Sequence, residues 1–136
     1  MLSLQSAASL GWSTIDVTNA SNLLAQGFFA LTLDVRTLEE YESAVPSVAT
    51  PYPPGHIGGA YFVDSLGSTG LVPADILGCR HCNVAVYCRT GRRSRAALDV
   101  LEAHGFTSAF NILGVVQWVD AGLPLVIGPL GTQPPP

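Results

Sequence analysis

Lysine is absent from these 136 residues, and charged side chains of every kind make up only 12% of them. Apolar residues reach 48%. That balance excludes a disordered chain. At this length a single domain buries about two-thirds of its unfolded surface. Cysteine is scarce too: three residues cannot build the framework of a small secreted scaffold. No apolar run approaches the ~18 residues that mark a membrane span, and residues 1–10 lack the basic start of a signal peptide. A net charge of −4 argues against a nucleic-acid surface. The expectation is a soluble protein of the cytoplasm or of an organelle lumen or stroma, without membrane or nucleic-acid partners. No internal repeat is present.

What basic charge exists is concentrated. The six arginines are Arg36, Arg80, Arg89, Arg92, Arg93 and Arg95, and four of them fall within residues 89–95, where there is no acid. The remainder sets two arginines against ten acids, a net −8. A positive spot on an acidic body attracts small anions.

That spot follows the most apolar stretch of the chain. Val84-Ala85-Val86-Tyr87 is an unbroken run of β-branched, small and aromatic residues, suited to a strand buried on both faces of a parallel sheet. It ends on Cys88. A tight turn follows, in which Gly91 is free to adopt a backbone angle closed to other residues. Ala97, Val100, Leu101 and His104 then recur at helical spacing, with Gly105 placed as a C-cap. The order is strand, cysteine, short loop, helix, so Cys88 faces a helix N-terminus. An ordinary thiol has a pKa near ~8.5. A helix N-terminus and neighbouring arginines favour the anion, and the N–H groups of residues 89–93 can curl round the sulfur as a nest. A reactive thiolate in an anion-binding bowl is expected.

Cys88-Arg89-Thr90-Gly91-Arg92-Arg93-Ser94 resembles the C-R-x-G-x-R-S active-site loop of single-domain rhodaneses. Asp34-Val35-Arg36 is similar to the family's D-V-R segment and Glu40-Tyr41 to its E-[FY] pair. Gly55-His56-Ile57-Gly58-Gly59-Ala60 resembles G-H-I-x-G-A, with Gly58 in place of the common proline. Gly114 to Trp118, then Ala121-Gly122-Leu123-Pro124, resembles the closing G-G-x-x-x-W and A-G-L-P, although Leu113 stands where the first glycine is common. The likeness spans about residues 14–125, in order.

The rest of the chain fits an α/β fold. Strands are expected at 12–17, 28–35, 59–63, 84–87 and 107–113. The first helix should run through Ala20 to Gln26, capped by Thr18 or Asn19. Short helices are expected at 37–41, 73–77 and 115–120, and residues 64–78 are otherwise irregular. The architecture is a five-stranded, mainly parallel sheet with helices on both faces, which is also the rhodanese-like fold. The domain covers 13–126, between a flexible terminus at 1–12 and a disordered Gly/Pro tail at 127–136. Residues 42–54 carry Pro46, Pro51, Pro53 and Pro54 and form an extended loop inserted between E-[FY] and G-H-I. It reads as a surface insertion, with pocket cover or partner binding as the alternatives. His56 reads as a bonded core histidine and Trp118 as a core aromatic.

Asp34 and Arg36 end their strand at the same sheet edge as Cys88, where doubly wound sheets bind ligands. The resemblance implies that Asp34 orients the active loop, by a charge-assisted bond to a loop arginine; the other reading is a helix cap for 37–41. Cys79-Arg80-His81-Cys82 has the spacing of a redox pair or half a zinc site. Only His81 adds a ligand, so no metal is expected. The pair reads as a surface turn, with the redox reading kept open but no resolving role toward Cys88 at the far end of the strand.

What the resemblance implies is sulfur transfer without a metal or organic cofactor. The Cys88 thiolate attacks the sulfane sulfur of a small anionic donor such as thiosulfate, and a persulfide remains. Cyanide or a thiol, on a protein included, then takes the outer sulfur. Arg89, Thr90, Gly91, Arg92 and Arg93 are the candidate substrate-binding residues, Arg89 and Arg93 by their guanidinium forks. Asp34, Arg36 and Ser94 support them. Related dual-specificity phosphatases and arsenate reductases resemble C-x₅-R, whereas Arg93 closes C-x₄-R here, a ring better matched to a single sulfur. A non-catalytic binding or regulatory module is the remaining alternative.

Overall fold

The computed structural model describes residues 11–45 and 54–128. Expectations for residues 1–10, for 46–53 of the insertion and for 129–136 of the tail lie outside the described residues. Elements in chain order are β1 (Ser13–Thr14), α1 (Val17–Ala25), β2 (Leu31–Asp34), α2 (Leu38–Glu42), β3 (Tyr61–Phe62) and α3 (Leu66–Thr69). A 3₁₀ turn (Ala74–Cys79) leads to β4 (Val84–Cys88), α4 (Arg92–Ala103), β5 (Ala109–Gly114) and α5 (Val115–Asp120). The five strands form one sheet, ordered β1-β5-β4-β2-β3, and every neighbouring pair is parallel.

β4 lies at the centre, and its alternation explains the two layers. Val84, Val86 and Cys88 face one side, with Ala97, Leu98 and Leu101 of α4, Leu66 of α3 and Ile76 of the 3₁₀ turn. Ala85 and Tyr87 face the other, with Val17 and Ala20 of α1 and Val115 and Trp118 of α5. All five β4 residues are buried. This two-sided burial is what an uninterrupted apolar run requires.

The element boundaries differ from the sequence pattern where polar side chains rewrite them. β1 is only two residues, because Asp16 takes over as N-cap of α1 and accepts the Asn19 N–H at 2.9 Å. The cap is therefore neither Thr18 nor Asn19. β2 and β3 are shorter than their apolar runs, and α3 lies within a stretch expected to be irregular. α2 begins on a capping box, in which Thr37 Oγ1 accepts the Glu40 N–H and Glu40 Oε1 accepts the Thr37 N–H. α4 starts two residues before Ser94 and ends at Ala103, with Gly105 at φ +92° beyond it. Cys79 and Cys82, read from sequence as a surface turn with a redox pair as the alternative, are joined as a disulfide.

His56 is buried, its Nδ1 3.0 Å from the Tyr41 carbonyl and its ring stacked on Tyr41 at 3.9 Å. It is the core histidine expected. Trp118 is buried and donates its indole N–H to the Pro124 carbonyl at 2.9 Å. Trp12 is tied to α4 through Asp99 at 2.8 Å.

Leu113, in the position where glycine is common, sits at φ +72°. A side chain in that region costs roughly 1–2 kcal/mol, whereas glycine adopts it freely but loses more entropy on folding. Leu113→Gly and Leu113→Ala both remove the side chain, and only glycine relieves the backbone. Urea unfolding should therefore find the glycine variant more stable than the alanine variant by about 0.5–1 kcal/mol; equal midpoints would show that the position is unstrained.

Candidate functional site

Cys88 is the last residue of β4 and is 1% exposed. The β4–β5 register slips between Val86 and Cys88, which brings Cys88 opposite Gly114. The chain then turns through Arg89 and Thr90 to Gly91, the N-cap of α4, at φ +101°. The glycine expected to adopt an unusual backbone angle does so.

The loop is held from outside by the β5–α5 corner. Val116 N–H donates to the Arg89 carbonyl at 3.1 Å, Gln117 Nε2 to the Thr90 carbonyl at 2.9 Å, and Asn111 Nδ2 to the Gly91 carbonyl at 3.2 Å. A Cβ on Gly114 would overlap the Arg89 carbonyl and the Thr90 nitrogen, so glycine permits this approach. A trans peptide points its N–H opposite to its C=O. With the Arg89 and Thr90 carbonyls turned outward, the Thr90 and Gly91 N–H groups turn inward. Gly91 N–H donates to Cys88 Sγ at 3.0 Å.

Burial works against the Cys88 anion, yet the thiol is held below its ordinary value. The opposing causes are hydrogen bonds from the Ser94 hydroxyl and from the backbone N–H groups of Ser94, Gly91 and Thr90. Ser94 Oγ lies 3.6 Å from Sγ and 2.8 Å from Asn111 Oδ1. A hydroxyl rotates to suit: its proton points to Asn111 when Cys88 is a thiol and to sulfur when Cys88 is a thiolate. The leading anion-stabilising contacts are thus dipoles of Ser94 and of the loop, where the sequence suggested helix and loop dipoles together with arginine charge.

The arginines have other partners. Arg93 makes a two-pronged ion pair with Glu40, Nη1 to Oε1 at 2.7 Å and Nη2 to Oε2 at 2.8 Å. Its fork, expected to face an anionic substrate, faces a carboxylate instead. Burial raises the Glu40 pKa, but the Arg93 fork and the Thr37 N–H outweigh it and hold it at about 2. Arg92 is exposed, and Arg89 and Thr90 lie on the loop itself.

Asp34 meets no loop arginine and caps no helix, so both readings of it are corrected. It pairs in register with Tyr87, one residue before Cys88, and so projects from the opposite face of the sheet. There it accepts Arg36 Nη2 at 2.7 Å and the Tyr87 hydroxyl at 2.7 Å. Arg36 also donates to the Gly55 carbonyl at 2.9 Å, and Tyr87 Oη accepts the Ile57 N–H at 2.9 Å. Asp34 and Arg36 fasten the G-H-I segment to the sheet. Of the expected supports, Ser94 alone meets the sulfur.

The sequence reading passed over Asn111 and Gln117, and it used Glu40 only as a motif letter. Asn111 is 1% exposed between Phe110 and Ile112 in β5. An uncharged polar residue inside an apolar strand was the available signal. Among the described residues no group of three or more His, Cys, Asp and Glu could hold a metal ion, and no helix is long and apolar enough to cross a membrane.

A family model for the rhodanese-like domain matches residues 16–121. The chain belongs to that family. Among solved structures it is similar to a probable thiosulfate sulfurtransferase, at 29% identity and a TM-score of 0.56, over 82% of this chain and 46% of the other. The human single-domain sulfurtransferase TSTD1 aligns at 23% identity and a TM-score of 0.58, over 79% of this chain and 95% of its own. A protein of unknown function from Rhodopseudomonas palustris, described as a possible tyrosine phosphatase, aligns at 20% identity and 0.63, covering 89% of each chain. No curated protein is significantly similar to the chain.

Two substitutions probe this geometry. Gln117→Leu frees the Thr90 carbonyl and loosens the Gly91 N–H against Sγ. The pH midpoint of iodoacetamide alkylation should rise by about 0.5–1 unit; an unmoved midpoint would separate Gln117 from the sulfur. Glu40→Gln removes a carboxylate whose folded pKa lies below its ordinary 4.5. The native stabilisation is present above pH 4.5 and is lost as pH falls toward about 2. The variant should be less stable by about 1 kcal/mol at neutral pH, a figure reduced for the partial exposure of Arg93, and the two stability curves should converge in acid.

Proposed function

We propose that the protein is a sulfurtransferase that carries sulfur as a persulfide on Cys88. The observation that carries this reading is the ring of donors on Sγ: a buried sulfur, acidified by inward N–H groups, at the end of the central strand. Family membership and the sulfurtransferases among the similar structures support it.

In the first step the Cys88 thiolate attacks the outer sulfur of a donor such as thiosulfate. The S–S bond of the donor breaks, sulfite leaves with that electron pair, and a cysteine persulfide anion remains. The Thr90 and Gly91 N–H groups then face the sulfur chain and stabilise its charge. In the second step cyanide or a thiolate attacks the outer sulfur and leaves as thiocyanate or a new persulfide, restoring the Cys88 thiolate. Two half-reactions through one covalent intermediate give ping-pong kinetics. Arg93 acts through Glu40 as a brace for the loop, and the exposed Arg92 adds positive charge that attracts the anionic donor. C-x₄-R and a donor set gathered on one sulfur favour sulfur over phosphate.

Intact mass after thiosulfate treatment should show one added sulfur, lost on cyanide addition and absent from Cys88→Ser. Hydrolysis of p-nitrophenyl phosphate outpacing sulfur transfer would overturn the assignment in favour of phosphatase chemistry. Failure to take up sulfur or to hydrolyse phosphate would leave a binding module.

A further inference from the structure

We propose that Cys79 and Cys82 form a second thiol site, a reversible dithiol–disulfide centre that exchanges two electrons with a dithiol. The bond spans two residues, with Cα atoms 4.9 Å apart. Loop-closure stabilisation grows with the length of chain enclosed, so this bond contributes little to holding the fold.

The turn is also fixed without it. Cys82 N–H donates to the Cys79 carbonyl at 3.1 Å and Thr107 N–H to the Arg80 carbonyl at 2.9 Å. His81 Nδ1 lies 3.1 Å from Thr107 Oγ1. Asn83 donates to the Phe28 carbonyl at 3.2 Å and accepts the Ser108 hydroxyl at 2.6 Å. Oxidised and reduced forms therefore fit one backbone, as a reversible centre requires. Arg80 and His81 are exposed and the two cysteines are half-buried against the rim of the core, so the turn that carries the pair is open to solvent. A Cys-x-x-Cys spacing is of the kind that favours the thiolate that exchange needs.

The exchange balances with a dithiol alone. A donor thiolate attacks one sulfur of the pair; the S–S bond breaks, and the other cysteine leaves as a thiolate. The donor's second thiol then attacks the mixed disulfide and frees the first cysteine. The donor departs as a disulfide, having given two electrons and two protons to Cys79 and Cys82; the reverse path oxidises another dithiol. Cys88 takes no part. It is the last residue of β4, at the far end of about 13 Å of strand, and is buried beneath α4.

The test uses full-length Cys88→Ser protein, in which only this pair titrates. It is reduced with dithiothreitol without denaturant, desalted, and equilibrated in buffers of graded reduced-to-oxidised glutathione. It is then quenched, alkylated with N-ethylmaleimide and weighed intact. The expected result is a mixture of molecules carrying no label or two, with one midpoint approached from either direction and cooperative thermal unfolding in both states. Reduction that needs denaturant, a reduced form that does not re-close, or loss of cooperative unfolding on reduction would overturn the proposal. Cys79→Ser/Cys82→Ser protein should keep its far-ultraviolet circular dichroism; its failure to fold would assign the bond to structure instead. None of these outcomes bears on sulfur uptake by Cys88.

Discussion

A peptide unit cannot aim its carbonyl and its amide at the same point, and the site depends on that constraint. Fixing where the loop's oxygens go fixes where its N–H groups go. Val116 N–H, Gln117 and Asn111 hold the carbonyls of Arg89, Thr90 and Gly91 on the side of β5 and α5. The sulfur receives the other end of the same dipoles. Groups that never touch Cys88 thus orient the dipoles that face it, and Gly114 is needed because the corner must approach the loop backbone closely. Such preorganisation is effective in a buried site because the dipoles need no reorientation when charge appears.

Two ion pairs show how the sheet separates scaffold from site. Alternation along β2 and β4 sends Asp34 and Tyr87 to the face away from Cys88. The buried Asp34–Arg36 pair, with the Tyr87 hydroxyl and the Gly55 carbonyl, anchors the segment that follows the insertion. Removing either charge alone would strand the other in a water-free region, which is why such pairs are costly to break. The Glu40–Arg93 pair is more exposed and links α2 to the first turn of α4. Its value lies in geometry, since Arg93 belongs to the helix turn that presents the Ser94 N–H to sulfur.

The fold was legible because its signals were redundant. β4 is an unbroken apolar run, α4 has helical periodicity and a glycine stop, and Trp118 closes the far face. Each points to the same layered sheet, so an error in one boundary does not propagate. Boundaries failed where a single polar atom decides: Asp16 displaced Thr18 and Asn19 as a cap because its carboxylate reaches the Asn19 N–H. The nucleophile candidate and its loop were legible from residue order. The partners of the arginines were not, because sequence states how many charges lie near one another but not which face each occupies. Asp34 shows this plainly: a one-residue difference in register separates the two sides of the sheet.

The same reasoning bears on which anion the ring suits. A tetrahedral oxyanion spreads charge over several oxygens and needs donors distributed around it, including a guanidinium free to fork. Here Arg93 is already forked onto Glu40, and the short C-x₄-R loop gathers its nearest donors on one sulfur. A persulfide keeps its charge on a linear two-sulfur chain, beginning at the point those donors surround. On the proposed sulfur-transfer reading, moving from thiolate to persulfide asks little rearrangement of the loop, whereas seating a phosphate would require Arg93 to abandon its carboxylate. The ion pair with Glu40, unremarked in the loop motif, thus adds to the donor ring a second reason to favour sulfur over phosphate.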